Sequence, residues 1–174
     1  MSKKAIFFDR DGVLNKPIIR KKKPYAPKNI SRFVIYKNLK KHILKLKKKN
    51  YLILVVTNQP DFFLKSKAQI IQMHKKLKKN LPINKIFCSY DVNNKSYKKK
   101  PNIGLVEKYI KVNKIDPKKS YVVGDRWRDI DFAHNLNCKS IFINRKYKEK
   151  LNKKPNYICI STIQAINIIL QNEK

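Results

Sequence analysis

Acidic residues are scarce in this chain. Of its 174 residues, 11 are aspartate or glutamate and 43 are lysine or arginine, which gives a formal net charge of +32. Such a charge is typical of nucleic-acid-binding proteins. Arginine is scarce as well, however, with six residues against 37 lysines. Because nucleic-acid sites favour arginine, and the lysines are spread over nearly every segment, we interpret most of the lysines as a solvated surface coat.

Cysteines are few, and long apolar runs are missing. The three cysteines lie far apart and are odd in number, which argues against a disulfide framework and indicates a reducing compartment; they are Cys88, Cys138 and Cys159. The apolar run from Leu52 to Val56 is far shorter than the ~20 residues that cross a bilayer. The run behind the basic segment Met1–Lys4 ends at Asp9, which is too short for a signal peptide. We therefore expect a cytoplasmic protein without membrane association.

The chain has the length of one domain, and apolar segments typical of strands alternate along it with segments of helical periodicity. Strands are predicted at residues 5–8, 51–56, 85–88, 121–123, 140–143 and 157–160. Helices are predicted after an Asn38 cap, from Ser66 past a surface or boundary His74, around 105–110, at 130–136 and at 162–170. The alternation predicts an α/β fold with helices on both faces of a mainly parallel sheet. The basic stretch 16–32 has no periodicity and is interpreted as a flap or loop.

The first predicted strand ends in two carboxylates. Asp9 and Asp11 follow the apolar run Ala5–Phe8, and Gly12 comes directly after them. Glycine lets the backbone turn with positive φ, so the chain leaves the strand without carrying the acids away. Open α/β sheets bind their ligands at the carboxyl ends of the strands. Two neighbouring acids raise each other's pKa unless a cation lies between them, so the pair indicates a cation site.

Polar residues follow three later strands in the same way. Thr57–Pro60 closes the second strand and offers a hydroxyl and backbone N–H groups to phosphoryl oxygens. Lys98–Pro101 follows the third strand, where one lysine would supply a positive charge for a phosphate. Gly124-Asp125 ends the fourth strand, and Asp129 and Asp131 follow at the start of the next helix. Each pattern alone is an ordinary polar turn, but the four together form a specific constellation.

This constellation resembles the four motifs of the haloacid dehalogenase superfamily of phosphatases. The local sequences are most similar to its heptose bisphosphate phosphatase branch, which also includes histidinol-phosphate phosphatases. The stretches that carry the resemblance are Asp9–Asn15, Thr57–Asp61, Lys100-Pro101 and Gly124–Ile130. The resemblance runs from about Lys4 to Lys148 and implies a Rossmann-like three-layer fold. It also implies a single phosphatase domain over residues 1–174, with an open site and no separate cap domain.

The resemblance assigns chemical roles to the acids. Asp9 would be the nucleophile that forms an aspartyl-phosphate, and Asp11 would be the general acid and then the general base. Mg²⁺ would bind Asp9, the backbone carbonyl of Asp11, and Asp125, since a hard cation favours oxygen ligands. Asp129 would not bind the metal ion itself but would contact the residues that do.

The resemblance also implies the residues that bind the phosphate and the substrate. Thr57, the backbone of Asn58 and Lys100 would stabilise charge on the phosphoryl oxygens. Lys99 occupies a position at which relatives carry an arginine that recognises the substrate, so the same role is expected of it.

Zinc is not expected as a second metal. Relatives often hold a structural zinc with three cysteines and a histidine in the loop before the motif lysine. Here residues 91–100 contain neither cysteine nor histidine, and Cys88 stands alone. Zinc needs about four such ligands. The loop is therefore expected to be ordered in another way, or to be shortened and mobile.

The favoured activity is removal of the C7 phosphate from D-glycero-D-manno-heptose 1,7-bisphosphate by a monomeric enzyme of lipopolysaccharide precursor synthesis. Three alternatives stay open: a histidinol-phosphate phosphatase, a nucleic-acid 3′-phosphatase, and a nucleic-acid-binding protein on a phosphatase fold. Intact acids at all catalytic positions argue against the last. The local motifs resemble the sugar branch more closely than the 3′-phosphatases.

If the lysines form a surface coat, binding to DNA will be weak, insensitive to sequence and lost steeply as salt rises, because counterion release dominates such binding. Electrophoretic mobility shifts over a salt series, with two unrelated duplexes of equal length, measure this. Tight, sequence-selective binding at physiological salt would contradict the interpretation.

Overall fold

A six-stranded parallel sheet forms the centre of the computed structural model, which describes residues 2–60 and 64–173. The strands are β1 (Lys4–Phe8), β2 (Ile18–Arg20), β3 (Lys23–Tyr25), β4 (Tyr51–Asn58), β5 (Lys85–Ser89), β6 (Tyr121–Gly124), β7 (Lys139–Ile143) and β8 (Tyr157–Cys159). The helices are α1 (Leu39–Lys48), α2 (Leu64–Asn80), α3 (Glu107–Val112), α4 (Trp127–Leu136) and α5 (Thr162–Gln171). Short 3₁₀ turns lie at Ile30–Arg32 and Pro117–Lys119.

The strand order in the central sheet is β5-β4-β1-β6-β7-β8, so β1 lies between β4 and β6. Phe8 at the end of β1 is in register with Val55 of β4 and with Val123 of β6. The chain builds outward from β1 on one side and then returns to its other side, which makes the end of β1 the topological switch point. Ligands of such sheets bind in the crevice at this point, and Asp9 is the next residue.

Two apolar layers cover the sheet, one on each face. Because successive side chains of a strand point to opposite faces, Ile6 and Phe8 lie in one layer and Phe7 in the other, all at most 1% exposed. The first layer contains α1, α2 and α5; the second contains α4, where Phe132 meets Phe7 edge to face. The three-layer α/β fold with a parallel sheet is confirmed, and no described helix is both long and apolar enough to cross a bilayer.

The predicted helices are present with shifted beginnings. Helix α2 begins at Leu64, two residues before Ser66, and α4 begins at Trp127, three before Ile130. Asn38 stands before α1, but the predicted cap was wrong. Its backbone is left-handed at φ 65°, not extended, and its side chain makes no capping hydrogen bond.

The stretch 16–32 contains an antiparallel hairpin and not only a loop. β2 pairs with β3, with Arg20 opposite Lys23, and Lys21 and Lys22 form the turn with φ of 47° and 59°. Positive φ at both central residues is the type I′ geometry that favours asparagine and glycine. The sequence does not predict this hairpin, because its turn residues are lysines, its strands have only three residues each, and β3 contains Pro24. The hairpin covers one side of the crevice.

Candidate active site

A buried lysine joins two of the acids at the edge of the sheet. The Lys100 ammonium donates to Asp9 Oδ1 and to Asp129 Oδ1, at 2.6 Å each, and Lys100 is 5% exposed. Burial opposes its charge, but the carboxylates of Asp129 and Asp9 outweigh burial and raise the pKa of Lys100. Burial raises the pKa of Asp9 to about 6; Lys100 opposes this shift, and Asp129 and Asp11 add to it.

Asn58 determines where this lysine lies. Its side-chain amide donates to the Lys100 carbonyl at 3.0 Å and accepts from the Lys100 backbone N–H at 3.0 Å. The end of β4 thereby holds the backbone from which Lys100 reaches the end of β1. The predicted role of Asn58 lay in its backbone, so this contribution of its side chain was missed.

The third acid has an unsatisfied oxygen. Asp125 follows β6, is 1% exposed, and accepts a hydrogen bond at Oδ2 from the Tyr147 hydroxyl at 2.8 Å. Its Oδ1 is buried without a partner in the described part of the chain. Burial, followed by the carboxylates of Asp9 and Asp129, raises the pKa of Asp125 well above its usual range. An orphaned carboxylate oxygen in such a place fits a cation that the protein would bind.

Asp9, Asp125 and Asp129 each bring one carboxylate oxygen within 4.8 Å of the others. Oxygen donors of this kind suit a hard divalent cation. This cluster includes Asp129, which was expected to contact the metal ligands without being one of them. Both oxygens of Asp129 already accept hydrogen bonds, from Lys100 and from the Arg126 backbone N–H at 3.1 Å.

Glycine permits this crowding at two positions. A Cβ on Gly124 would lie 2.0 Å from the Cβ of Asp129, and one on Gly12 would lie 1.7 Å from Asp125 Oδ2. Gly12 also has φ of +87°, which side-chain-bearing residues rarely adopt. The predicted turn at Gly12 is therefore confirmed, and both glycines allow the acids to approach.

Asp11 lies in the same cavity with its carboxylate held by three other side chains. Arg10 donates to Oδ2 from Nη2 at 2.9 Å, Gln59 to Oδ2 at 2.7 Å, and Asn15 to Oδ1 at 2.9 Å. These partners were missed, because none of them belongs to a residue type that the motif analysis treats as catalytic. The three contacts keep the Asp11 carboxylate out of the cluster formed by the other acids.

Arg10 is fully buried and rests on a histidine. Its Nη1 lies 3.1 Å from Nε2 of His74, and its guanidinium lies over the Phe33 ring. Burial, and next the charge of Arg10, lower the pKa of His74 to about 4. A neutral ring can accept the hydrogen bond from Arg10. The boundary position predicted for His74 is confirmed, but its contact with Arg10 was not foreseen.

Thr57 and Lys99, two of the predicted phosphate- and substrate-binding residues, differ in their placement. Thr57 lines the cavity, and its Oγ1 accepts from Gln59 at 2.8 Å. Lys99 does not line it: this lysine is 2% exposed and donates to the Val92 carbonyl at 2.8 Å. Its expected role in binding the substrate therefore stays a prediction. Asp61, the last residue of the second motif, lies outside the described residues.

Hydrogen bonds order the loop 91–100. The Ser96 hydroxyl donates to the Asp91 carboxylate, and the Asn102 amide donates to the Ser96 carbonyl at 3.0 Å. The buried Lys99 ammonium joins both halves of the loop through Val92. These contacts connect a segment in which cysteine and histidine are absent from the sequence.

Basic side chains surround the acids. The cavity over the sheet edge has a volume of about 490 Å³, with Asp9, Asp11 and Asp129 in its lining. Its basic rim comes from the hairpin, the first 3₁₀ turn and the start of α4: Arg20, Lys23, Lys28, Arg32, Arg126 and Arg128. Negative charge at the floor and positive charge at the rim suit a cation bound together with an anionic ligand.

The chain belongs to the haloacid dehalogenase-like hydrolases, because the model of that family matches residues 6–143. This confirms the family predicted from the motifs. A histidine biosynthesis bifunctional protein HisB from Baumannia cicadellinicola subsp. Homalodisca coagulata is 32% identical over 156 residues, which are 83% of this chain and 42% of that protein. HisB from Blochmanniella floridana is 29% identical over 151 residues, 81% of this chain and 41% of that protein. The chain thus spans about two fifths of the length of these relatives.

Solved structures share the fold. The D,D-heptose 1,7-bisphosphate phosphatase of B. bronchiseptica, complexed with magnesium and phosphate, superposes with a TM-score of 0.75 at 20% identity. That match covers 98% of this chain and 99% of the other. The D,D-heptose 1,7-bisphosphate phosphatase of Burkholderia thailandensis matches with a TM-score of 0.64 at 17% identity, over 97% and 99% of the two chains. At these identities the likeness establishes the fold.

The purified protein is expected to contain no stoichiometric zinc, because the loop that would hold it offers hydrogen bonds in place of thiolates. Elemental analysis measures the zinc content. As a control, a zinc-selective chelator should leave the thermal unfolding midpoint unchanged. One tightly bound zinc per chain would contradict this expectation.

Proposed function

We propose that this protein is a magnesium-dependent phosphomonoester phosphatase that forms an aspartyl-phosphate on Asp9. The observation that carries the proposal is the group of three carboxylates within 4.8 Å, two of which bind one buried lysine, next to a cavity with a basic rim. Phosphoryl transfer needs positive charge around the equatorial oxygens and a nucleophile in line with the leaving group. The Lys100 ammonium and the Asp9 carboxylate, which lie side by side at the end of β1, support this assignment.

In the first step an Asp9 oxygen attacks phosphorus, and the bond from phosphorus to the substrate oxygen breaks. Asp11 protonates the leaving oxygen and becomes a carboxylate. In the second step water attacks phosphorus, Asp11 takes the water proton, and the bond to Asp9 breaks. Inorganic phosphate is released and Asp9 is restored.

Other groups of the site would stabilise the negative charge on the phosphoryl group during its transfer. The Lys100 ammonium next to Asp9, the Thr57 hydroxyl and the backbone N–H of Asn58 would donate to the phosphoryl oxygens. The Asn58 side chain contributes by holding the Lys100 backbone. Asp129 contributes by holding the Lys100 ammonium from the far side.

The donor set fits Mg²⁺, since Asp125 Oδ1, which has no partner in residues 2–60 and 64–173, lies beside carboxylates that repel one another. Asp9, Asp125 and the backbone carbonyl of Asp11 would hold the ion. When bound, it would screen the acids and polarise the phosphoryl group.

Replacing Asp9 by Asn should lower phosphate release by about 10³-fold or more, because the amide is not a nucleophile in this reaction. Asp11→Asn should also impair turnover severely, and chelation of Mg²⁺ should stop it. Release of inorganic phosphate from a panel of phosphomonoesters measures all three.

Asp116→Asn is the matched control for this test. Asp116 caps a 3₁₀ turn away from the cavity, and asparagine caps as well as aspartate does. This variant should retain full activity. Substantial turnover by a folded Asp9→Asn protein would exclude the mechanism.

We further propose that the substrate is D-glycero-D-manno-heptose 1,7-bisphosphate, attacked at the C7 phosphate. The motif resemblance supports this, and so do two hairpin side chains. Arg20 and Lys23 are cross-strand partners that both line the cavity. Like charges placed opposite each other destabilise a hairpin, and a second phosphate between them would relieve the repulsion. The relatives named for histidine biosynthesis favour histidinol phosphate as the second candidate.

Arg20→Gln together with Lys23→Gln should lower kcat/KM for the bisphosphate by about tenfold more than for the heptose 7-monophosphate. Both side chains are exposed, and exposed ion pairs contribute about 0.2–1 kcal/mol each, so the two together contribute at most about 2 kcal/mol. The matched control is Lys21→Asn with Lys22→Gly. It removes the same number of charges from the turn, outside the cavity lining, and suits the left-handed backbone there.

Equal losses on both substrates would leave the hairpin without a specific role. Faster turnover of histidinol phosphate than of the bisphosphate by the unaltered enzyme would select the second candidate. Turnover of 3′-phosphorylated oligonucleotides above both would select the nucleic-acid branch.

A further inference from the structure

Tyr147 touches the acid cluster from a segment that no motif predicts. It lies in the loop after β7, beyond the residues 6–143 that the family model matches. Its hydroxyl donates to Asp125 Oδ2 at 2.8 Å. The other oxygen of this carboxylate, Oδ1, is buried and has no partner in the described part of the chain.

The three acids differ in what holds them. Asp9 and Asp129 both bind the Lys100 ammonium. Among the described residues, no lysine or arginine forms an ion pair with Asp125, and its hydrogen-bond donor is a neutral phenol. A cationic donor would compete with a metal ion for the carboxylate charge. A phenol orients the carboxylate and leaves its negative charge for a cation.

The loop that carries Tyr147 is tied to the turn after β1. The Arg145 guanidinium donates twice to the Gly12 carbonyl, at 3.0 and 2.9 Å, and lies over the Tyr36 ring. The Lys148 backbone N–H donates to the Lys22 carbonyl of the hairpin at 3.0 Å. Tyr147 is therefore held from both sides, and its hydroxyl would lie only 3.0 Å from a Cβ placed on Gly12.

We propose that Tyr147 is a positioning residue for the divalent cation: its hydroxyl fixes Asp125 by Oδ2 and keeps Oδ1 as the free ligand. The inference rests on the proposed metal dependence. Groups that hydrogen-bond to a ligating carboxylate fix its orientation, and their loss typically weakens metal binding by about 10–100-fold. Tyr147 needs no contact with the substrate for this role.

Tyr147→Phe removes one oxygen atom and retains the ring. The test is calorimetric titration of the purified full-length protein with MgCl₂ alone. We expect the Kd for Mg²⁺ to rise about tenfold or more. In turnover assays the Mg²⁺ concentration for half-maximal rate should rise by the same factor, while kcat at saturating Mg²⁺ stays near that of the unaltered protein.

Tyr109→Phe is the matched control. Tyr109 packs its ring on Phe87 in the apolar layer that contains α4. Its hydroxyl forms no hydrogen bond within the described residues. It should leave Mg²⁺ affinity unchanged. Both variants should melt, without metal, within a few degrees of the unaltered protein, so that a change in Kd reports the site and not the fold.

Mg²⁺ affinity of Tyr147→Phe equal to that of the unaltered protein would overturn the inference, and so would an equal loss in Tyr109→Phe. A fall in kcat at saturating Mg²⁺ with no change in Kd would also overturn it, since that result places Tyr147 in the chemistry. Failure of the unaltered protein to bind Mg²⁺ would refute the metal dependence itself, which is a separate outcome.

Discussion

The ion pairs of Lys100 are the interaction on which the site depends. Two unit charges 4 Å apart interact by about 4 kcal/mol at an effective dielectric constant of ~20, and three carboxylates here lie within 4.8 Å of one another. Lys100 offsets this repulsion for Asp9, which follows β1, and for Asp129 in the first turn of α4. Removing the ammonium would leave buried charges unpaired, which is among the costliest changes a folded protein can undergo.

The contact of Lys100 with the two acids depends on the residues around it. Lys100 reaches the acids because Asn58 holds its backbone from the end of β4, so the lysine connects the end of β4 with Asp9 after β1 and Asp129 in α4. The acids approach because Gly12 and Gly124 offer no Cβ. Asp125 makes no ion pair with this lysine, and its Oδ1 has no partner among the described residues. The lysine thus stabilises two acids of the cluster, while the carboxylate of the third suits the proposed metal ion.

Sequence reasoning predicts the parts of this site that depend on local patterns. Buried strands have continuous apolar runs, and the residues after them must lie at the sheet edge, so Asp9, Thr57 and Asp125 could be placed. The hydrogen bond from Tyr147 to Asp125 spans 22 residues, and that from Gln59 to Asp11 spans 48. Neither separation follows from a helix or strand period, so neither contact could be predicted from the sequence. Lys99 does not line the cavity although its neighbour Lys100 does, because neighbouring residues in a loop can point in different directions.

The arginines of this basic chain are concentrated at the site. Lysine covers the surface, but Arg20, Arg32, Arg126 and Arg128 all line the cavity, and they are four of only six arginines in the chain. The other two also belong to the site, since Arg10 holds Asp11 and Arg145 holds the Gly12 carbonyl. A planar guanidinium makes paired, directional hydrogen bonds that a lysine cannot replace. Lysines also line the cavity, but all six arginines of the chain lie in the site or next to it, whereas the lysines are spread over the surface as well.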